Sequence, residues 1–216
     1  MVTLIPAAHN DAVGIFMSGV VMKVFLISCL LFLALLPAAR NVAAAPDAAA
    51  GEKKAAACVA CHGAGGNSSN PAVPSLAAQT PMYVYFQLLQ FREGRRVNEQ
   101  MSPFAAKLSD ADMKDIGAYF AAQKMAASTL AVNDAVVAAG KAVAARNHCG
   151  SCHMPDYAGQ KHIPRLAGLN AEYLVAQMRG FKTGARQDLD GSMASAAQPL
   201  SEKDILDVAG YLAGLN

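Results

Sequence analysis

Two copies of one five-residue pattern constrain this chain more than anything else in it. Cys58-Val59-Ala60-Cys61-His62 and Cys149-Gly150-Ser151-Cys152-His153 both read C-x-x-C-H, and 87 residues separate Cys61 from Cys149. A pattern of this kind attaches a c-type haem. The two thiols add across the two vinyl groups of one haem, and the adjacent histidine, held by that tether, presents a ring nitrogen to the iron. A zinc site, a structural disulfide and a thioredoxin-like redox pair compete with this reading. Zinc wants its two cysteine pairs about 15 to 20 residues apart, and neither a disulfide nor a redox pair has any use for the histidine that follows both copies. The expectation is two covalent haem c groups, one on Cys58 and Cys61 and one on Cys149 and Cys152, with His62 and His153 as iron ligands.

The similarity extends beyond the two motifs. Pro74-Ser75-Leu76-Ala77 lies over Pro164-Arg165-Leu166-Ala167, and at the same offset of 90 residues Tyr83, Gln87, Phe91, Gly94 and Arg96 meet Tyr173, Gln177, Phe181, Gly184 and Arg186. After a two-residue adjustment Met101, Leu108, Ser109, Asp112 and Tyr119 meet Met193, Leu200, Ser201, Asp204 and Tyr211. Self-similarity on this scale marks two copies of one domain. The reading places domains at 46–124 and 140–216, joined by an alanine-rich linker at 125–139.

Each half is expected to hold about three main helices, and the fold class is all-α. One helix ends at the C-x-x-C-H motif. A second starts at Thr80-Pro81 or at Asn170, with a capping side chain and, in the first copy, a proline at the first helical position. A third starts at Ser109-Asp110-Ala111-Asp112 or Ser201-Glu202-Lys203-Asp204, capping boxes with Asp in place of Glu. Nowhere do apolar residues alternate long enough for a strand.

Composition agrees with a cofactor-filled centre. The chain has no tryptophan and only 6% aromatic residues, and much of its 54% hydrophobic content is alanine. A domain below roughly 80 residues built this way buries too little apolar surface to be comfortably stable alone. A haem supplies the missing bulk. The formal net charge of +2 points to no nucleic acid or other polyanionic partner.

The N-terminus reads as an address. Met22-Lys23, an apolar run from Val24 to Leu36, Pro37 and a small-residue stretch ending Ala43-Ala44-Ala45 form the three regions of a secretory signal peptide. Residues 1–45 are therefore expected to be leader, with translation starting at Met22 and cleavage near Ala44 or Ala45. A periplasmic location follows. The competing readings are an uncleaved leader acting as a membrane anchor and acylation of Cys29, which would attach the protein peripherally to a membrane. His9 precedes the cleavage site, and past residue 45 no apolar run approaches the roughly 18 residues needed to span a bilayer.

The repeat also selects the second axial ligands. A thioether opposite histidine raises the reduction potential of a haem iron, but the chain holds 10 methionines, and methionine is usually packing material. Met82 faces Glu172, Met113 faces Ile205 and Met178 faces Leu88, whereas Met101 and Met193 face each other. Those two are the expected ligands, in loops before the third helix. Met154 follows His153 too closely to reach the opposite face of a haem. His148 and His162 have no counterpart in the repeat and read as surface or spare histidines.

With two C-x-x-C-H sites, the P-x-L-A stretches, Tyr-x-x-x-Gln followed by Phe-x-x-Gly-x-Arg, and a methionine before Leu-Ser, residues 51–216 resemble dihaem cytochromes c of the c4 type. The resemblance implies two cytochrome c folds wrapped around covalent haems and related by a pseudo-two-fold axis. It implies that Pro74 and Pro164 offer backbone carbonyls to His62 and His153, and it makes Arg96 and Arg186 candidates for propionate contacts, against the plainer reading of exposed charged helix ends. The chain departs from the family after the second motif, where Met154-Pro155-Asp156-Tyr157 replaces the usual Gly-Pro-x-Gly. The implied function is single-electron transfer between respiratory partners, towards a terminal oxidase, by six-coordinate irons with no open site for substrate. The alternative is a cytochrome subunit of a periplasmic dehydrogenase, for example a flavocytochrome sulfide dehydrogenase, and a dihaem peroxidase is a third reading that paired methionine ligands disfavour. Redox proteins are the expected partners, and oligomeric state is not legible.

Overall fold

The computed structural model describes residues 45–128 and 133–216, so the leader, with Met22, Cys29 and Ala44, lies outside the described residues. Among the described residues no strand forms, and no helix is long and apolar enough to cross a membrane. The all-α expectation holds.

The first half runs α1 (Ala48–Lys54), α2 (Val59–His62), α3 (Pro81–Arg92), α4 (Met101–Ala105) and α5 (Asp110–Ala121). The second half repeats the order as α6 (Asp134–Arg146), α7 (Cys149–His153), α8 (Ala171–Thr183), α9 (Ser192–Ala197) and α10 (Glu202–Ala213). Helix α6 opens at Asp134, within the stretch read from the sequence as linker, and Asn133 caps it by accepting from the N–H of Ala135 at 2.8 Å.

In each half the first helix crosses the last, α1 on α5 and α6 on α10. Glycine makes the crossing close: a Cβ on Gly51 would stand 2.0 Å from the carbonyl oxygen of Asp115, and one on Gly140 2.2 Å from that of Asp207. Charge ties the first pair together. Lys54 lies 2.8 Å from Asp112 and 2.7 Å from Asp115, whose other oxygen accepts from the N–H of Asp47 at 2.8 Å. Arg146 pairs with Asp204 in the second half. Below these crossings lie two small cores, one around Val84, Leu88, Met113, Ile116 and Phe120 and one around Val143, Leu174, Ile205, Val208 and Leu212.

The expected capping boxes are both present. Ser109 accepts from the N–H of Asp112 and Asp112 from that of Ser109, and Ser201 and Asp204 do the same. Such reciprocal bonds satisfy two N–H groups that a helix start otherwise leaves open. The other expected caps are not there. Pro81 does open α3, but neither Thr80 nor Asn170 makes a side-chain cap bond. Asn170 is used elsewhere: its Nδ2 donates at 2.8 Å to the carbonyls of both Asn70 and Val73, across the boundary between the halves.

Candidate functional site

The site begins with two short helices. α2 and α7 carry the C-x-x-C-H residues, leaving Cys61 and Cys152 exposed, Cys58 and Cys149 half-buried, and His62 and His153 buried. None of the four cysteines is in a disulfide. Burial pushes the thiols of Cys58 and Cys149 above their ordinary value.

The histidines are oriented from behind. Pro74 O lies 2.8 Å from Nδ1 of His62, and Pro164 O lies 2.9 Å from Nδ1 of His153. A carbonyl can only accept, so each Nδ1 carries the proton and Nε2 keeps a free lone pair, which is the tautomer a metal ligand needs. Burial is the larger influence on both rings and holds them below the ordinary imidazole value, against the carbonyl bond, which favours the protonated form. The net effect favours the neutral imidazole.

Around His62 the first half forms an apolar cavity. Cys58, Cys61, Leu76, Val84, Leu88, Phe91, Met101, Ile116 and Phe120 line it, and it reaches Leu169, Tyr173 and Gln177 of the second half. Met101 thus shares one cavity with the C-x-x-C-H residues. Contrary to the expectation of loops, Met101 and Met193 stand in the short helices α4 and α9. Upstream side chains bond to the start of each: Asn98 Oδ1 accepts from the N–H groups of Gln100 and Met101, and Asp188 Oδ2 accepts from that of Met193 at 2.7 Å. Met193 is half-buried.

The repeated polar residues meet each other. Arg96 donates to Gln87 and, at 2.9 Å, to Gln177; Arg186 donates to Gln177 at 2.6 Å, to Gln87 at 3.3 Å and to the hydroxyl oxygen of Tyr83 at 3.0 Å. Each guanidinium also lies over a phenylalanine of its own half, Arg96 4.6 Å from the Phe91 ring centre and Arg186 4.4 Å from that of Phe181. These arginines are therefore not exposed helix ends. The repeat aligns each of these residues with its counterpart, but singly. The available signal was a polar set, Tyr, Gln and Arg, recurring identically in both copies beside apolar helix positions.

The donor set fits a haem. Paired thiols and a neutral imidazole stand at an apolar cavity, with Met101, a soft thioether, in its wall. Arg96 and Gln87 also line that wall, and the nearby Arg186 keeps a buried Nε–H without a hydrogen-bond partner. The guanidinium groups bond to neutral amides and hydroxyls here, and a propionate is the kind of acceptor such a cluster lacks.

Comparison with known proteins agrees. Residues 137–216 match the family described as "Cytochrome c", and residues 46–120 match "Cytochrome C oxidase, cbb3-type, subunit III". The chain is 40% identical over 205 residues to cytochrome c4 of Pseudomonas aeruginosa, covering 90% of this chain and 100% of that one. It is 34% identical over 177 residues to a thiosulfate dehydrogenase electron acceptor of Thiomonas intermedia, covering 76% of this chain and 81% of the relative. The crystal structure of reduced recombinant cytochrome c4 from Pseudomonas stutzeri superposes with a TM-score of 0.74 at 33% identity, over 80% of this chain and 100% of that one.

Fold and site together define a c-type cytochrome of two tandem domains with two covalently bound haem c groups, an electron-transfer protein. More narrowly, the chain belongs to the cytochrome c4 family.

Proposed function

We propose that this chain is a periplasmic shuttle that passes single electrons between respiratory partners, towards a terminal oxidase. In this reading Cys58 and Cys61 hold one haem and Cys149 and Cys152 the other, with His62 and Met101 on one iron and His153 and Met193 on the second. The observation that carries it is the common cavity of Cys58, Cys61, His62 and Met101. A bound haem supplies a one-electron couple, and a thioether opposite histidine favours its reduced state. The protein's part is to keep His62 and His153 in the ligating tautomer through Pro74 and Pro164, and to keep water from the apolar wall. With these four residues as ligands, neither iron would be open to substrate. The signal-peptide pattern at residues 22–45 supports the periplasmic location.

The test is an absorption spectrum of the matured protein with haem counted per chain. Two haems and the far-red band of a ferric iron–thioether bond are expected, with Met101→Leu and Met193→Leu each removing about half of that band. Two haems without the band, or a high-spin spectrum in the unaltered protein, would overturn the ligand assignment.

A second reading has a specific support, the similarity to a thiosulfate dehydrogenase electron acceptor. Here the chain serves one dehydrogenase rather than a general pool. Stoichiometric co-purification with a catalytic subunit would favour it, and equal rates of reduction by unrelated donors would favour the shuttle.

A further inference from the structure

The two methionine-bearing helices are held by different chemistry. In the first half, Asn98 Oδ1 accepts from the N–H of Met101 at 2.9 Å and from that of Gln100 at 3.0 Å. In the second half, at the repeat offset that pairs Arg96 with Arg186, the residue is Asp188, and its Oδ2 accepts from the N–H of Met193 at 2.7 Å. The two-residue adjustment between the copies falls after this position, and it brings in Asp190, whose Oδ1 accepts from the N–H of Ser192 at 3.0 Å. One copy thus places a neutral amide against the methionine backbone where the other places a carboxylate, with a second carboxylate beside it.

The environment gives that difference weight. Asp188 Oδ1 is buried without a hydrogen-bond partner, and no ion pair involves Asp188 among the described residues. Asp190 beside it is held below its ordinary value chiefly by its bonds from Ser192, with smaller contributions from Asp188 and His162. A charge shielded from water acts over longer distances than one at an open surface. A negative charge close to a redox centre stabilises the more positive, oxidised form.

We infer that Asp188 is a positioning residue that fixes the Met193 helix and sets the reduction potential of the second haem below the value an uncharged cap would give, whereas Asn98 fixes the Met101 helix without that effect. The inference rests on Met193 being an axial ligand, as proposed above. Asp188→Asn keeps an acceptor oxygen, copies the first half and removes the charge. Asn98→Asp is its reciprocal.

The experiment is a spectroelectrochemical titration of the dihaem protein and both variants, with the far-red thioether band followed in each. In Asp188→Asn the band should persist. One of the two component potentials should rise, with the ratio of reduced to oxidised haem at fixed potential increasing about tenfold, a shift of about 59 mV for a one-electron couple. In Asn98→Asp the other component should fall. Unchanged potentials in both variants, with the band intact, would leave Asp188 a simple cap and overturn the inference. So would movement of the same component by both variants, or loss of the band in Asp188→Asn. Absence of the band from the second haem of the unaltered protein would instead sink the Met193 assignment and the inference with it.

Discussion

The side-chain amide of Gln79 closes a two-bond ring with the backbone of Arg165 in the other half, donating to its carbonyl at 3.1 Å and accepting from its N–H at 2.7 Å. Gln79 is 2% exposed. The equivalent residue in the second half is Leu169, so Gln79→Leu is a substitution that the fold already carries at the matching site. It leaves a peptide N–H and C=O without partners at the junction. We predict a loss of about 1–3 kcal/mol, read as a lower unfolding midpoint in a guanidinium titration followed by circular dichroism. An unchanged midpoint would mean that water replaces the amide at no cost.

The close helix crossings predict an effect opposite to helix propensity. Alanine is the better helix former by about 1 kcal/mol, yet a Cβ on Gly140 would also meet Cβ of Tyr211 at 2.5 Å, and one on Gly51 that of Tyr119 at 2.9 Å. Both obstacles include backbone, which cannot swing aside. Gly51→Ala and Gly140→Ala should each destabilise the protein by about 1–3 kcal/mol net, measured by thermal unfolding of the holoprotein.

Asp112 gives a pH signature. Its bonds from Lys54, then from Ser109, hold the carboxyl down at about 2, from an ordinary value of 3.8. A depressed folded value means stability that is fully present above the unfolded value and is lost as pH falls through the folded one. The contribution should therefore fade between about pH 4 and pH 2. Lys54→Met removes the largest cause, so its stability should converge with that of the unaltered protein as pH drops through this window. Parallel curves down to pH 2 would deny the coupling.

Met154 sits where glycine belongs. Its φ of 72° and ψ of 156° match the 78° and 166° of Gly63, which follows the first motif. A side chain in this region costs of order 1–3 kcal/mol, and the greater freedom of glycine in the unfolded chain returns roughly 0.5–1 kcal/mol of that. Met154→Gly should stabilise the second domain by about 1 kcal/mol, seen as a raised melting temperature. A fall would show that contacts of the half-exposed thioether outweigh the strain.

What could be read from residues alone was whatever the chain states locally or states twice. The C-x-x-C-H motifs, the capping boxes at Ser109 and Ser201, and Pro81 at a helix start are local signals with fixed spacing. Pairing across the repeat set Met101 and Met193 apart from the other methionines, but placed them in loops where the structure has short helices. What stayed hidden depends on partners distant in sequence. Thr80 and Asn170 look like caps by residue type, but Asn170 spends its amide on Asn70 and Val73. Gln79 lies over Leu169, a different residue type, and so gave no signal. Gly51 and Gly140 are ordinary glycines until a second helix crosses them. Arg96 and Arg186 could be aligned, but only folding brings both to the same two glutamines.

That meeting has a meaning for how the molecule is assembled. Tyr, Gln and Arg of one half receive Gln and Arg of the other, so each half presents the same patch that it accepts, the rule of a two-fold homodimer contact. The chain is in this sense a dimer written on one polypeptide. The connecting segment keeps two self-complementary units at high effective concentration, and once both copies share a chain they are free to diverge at single positions, as Asn98 and Asp188 have done.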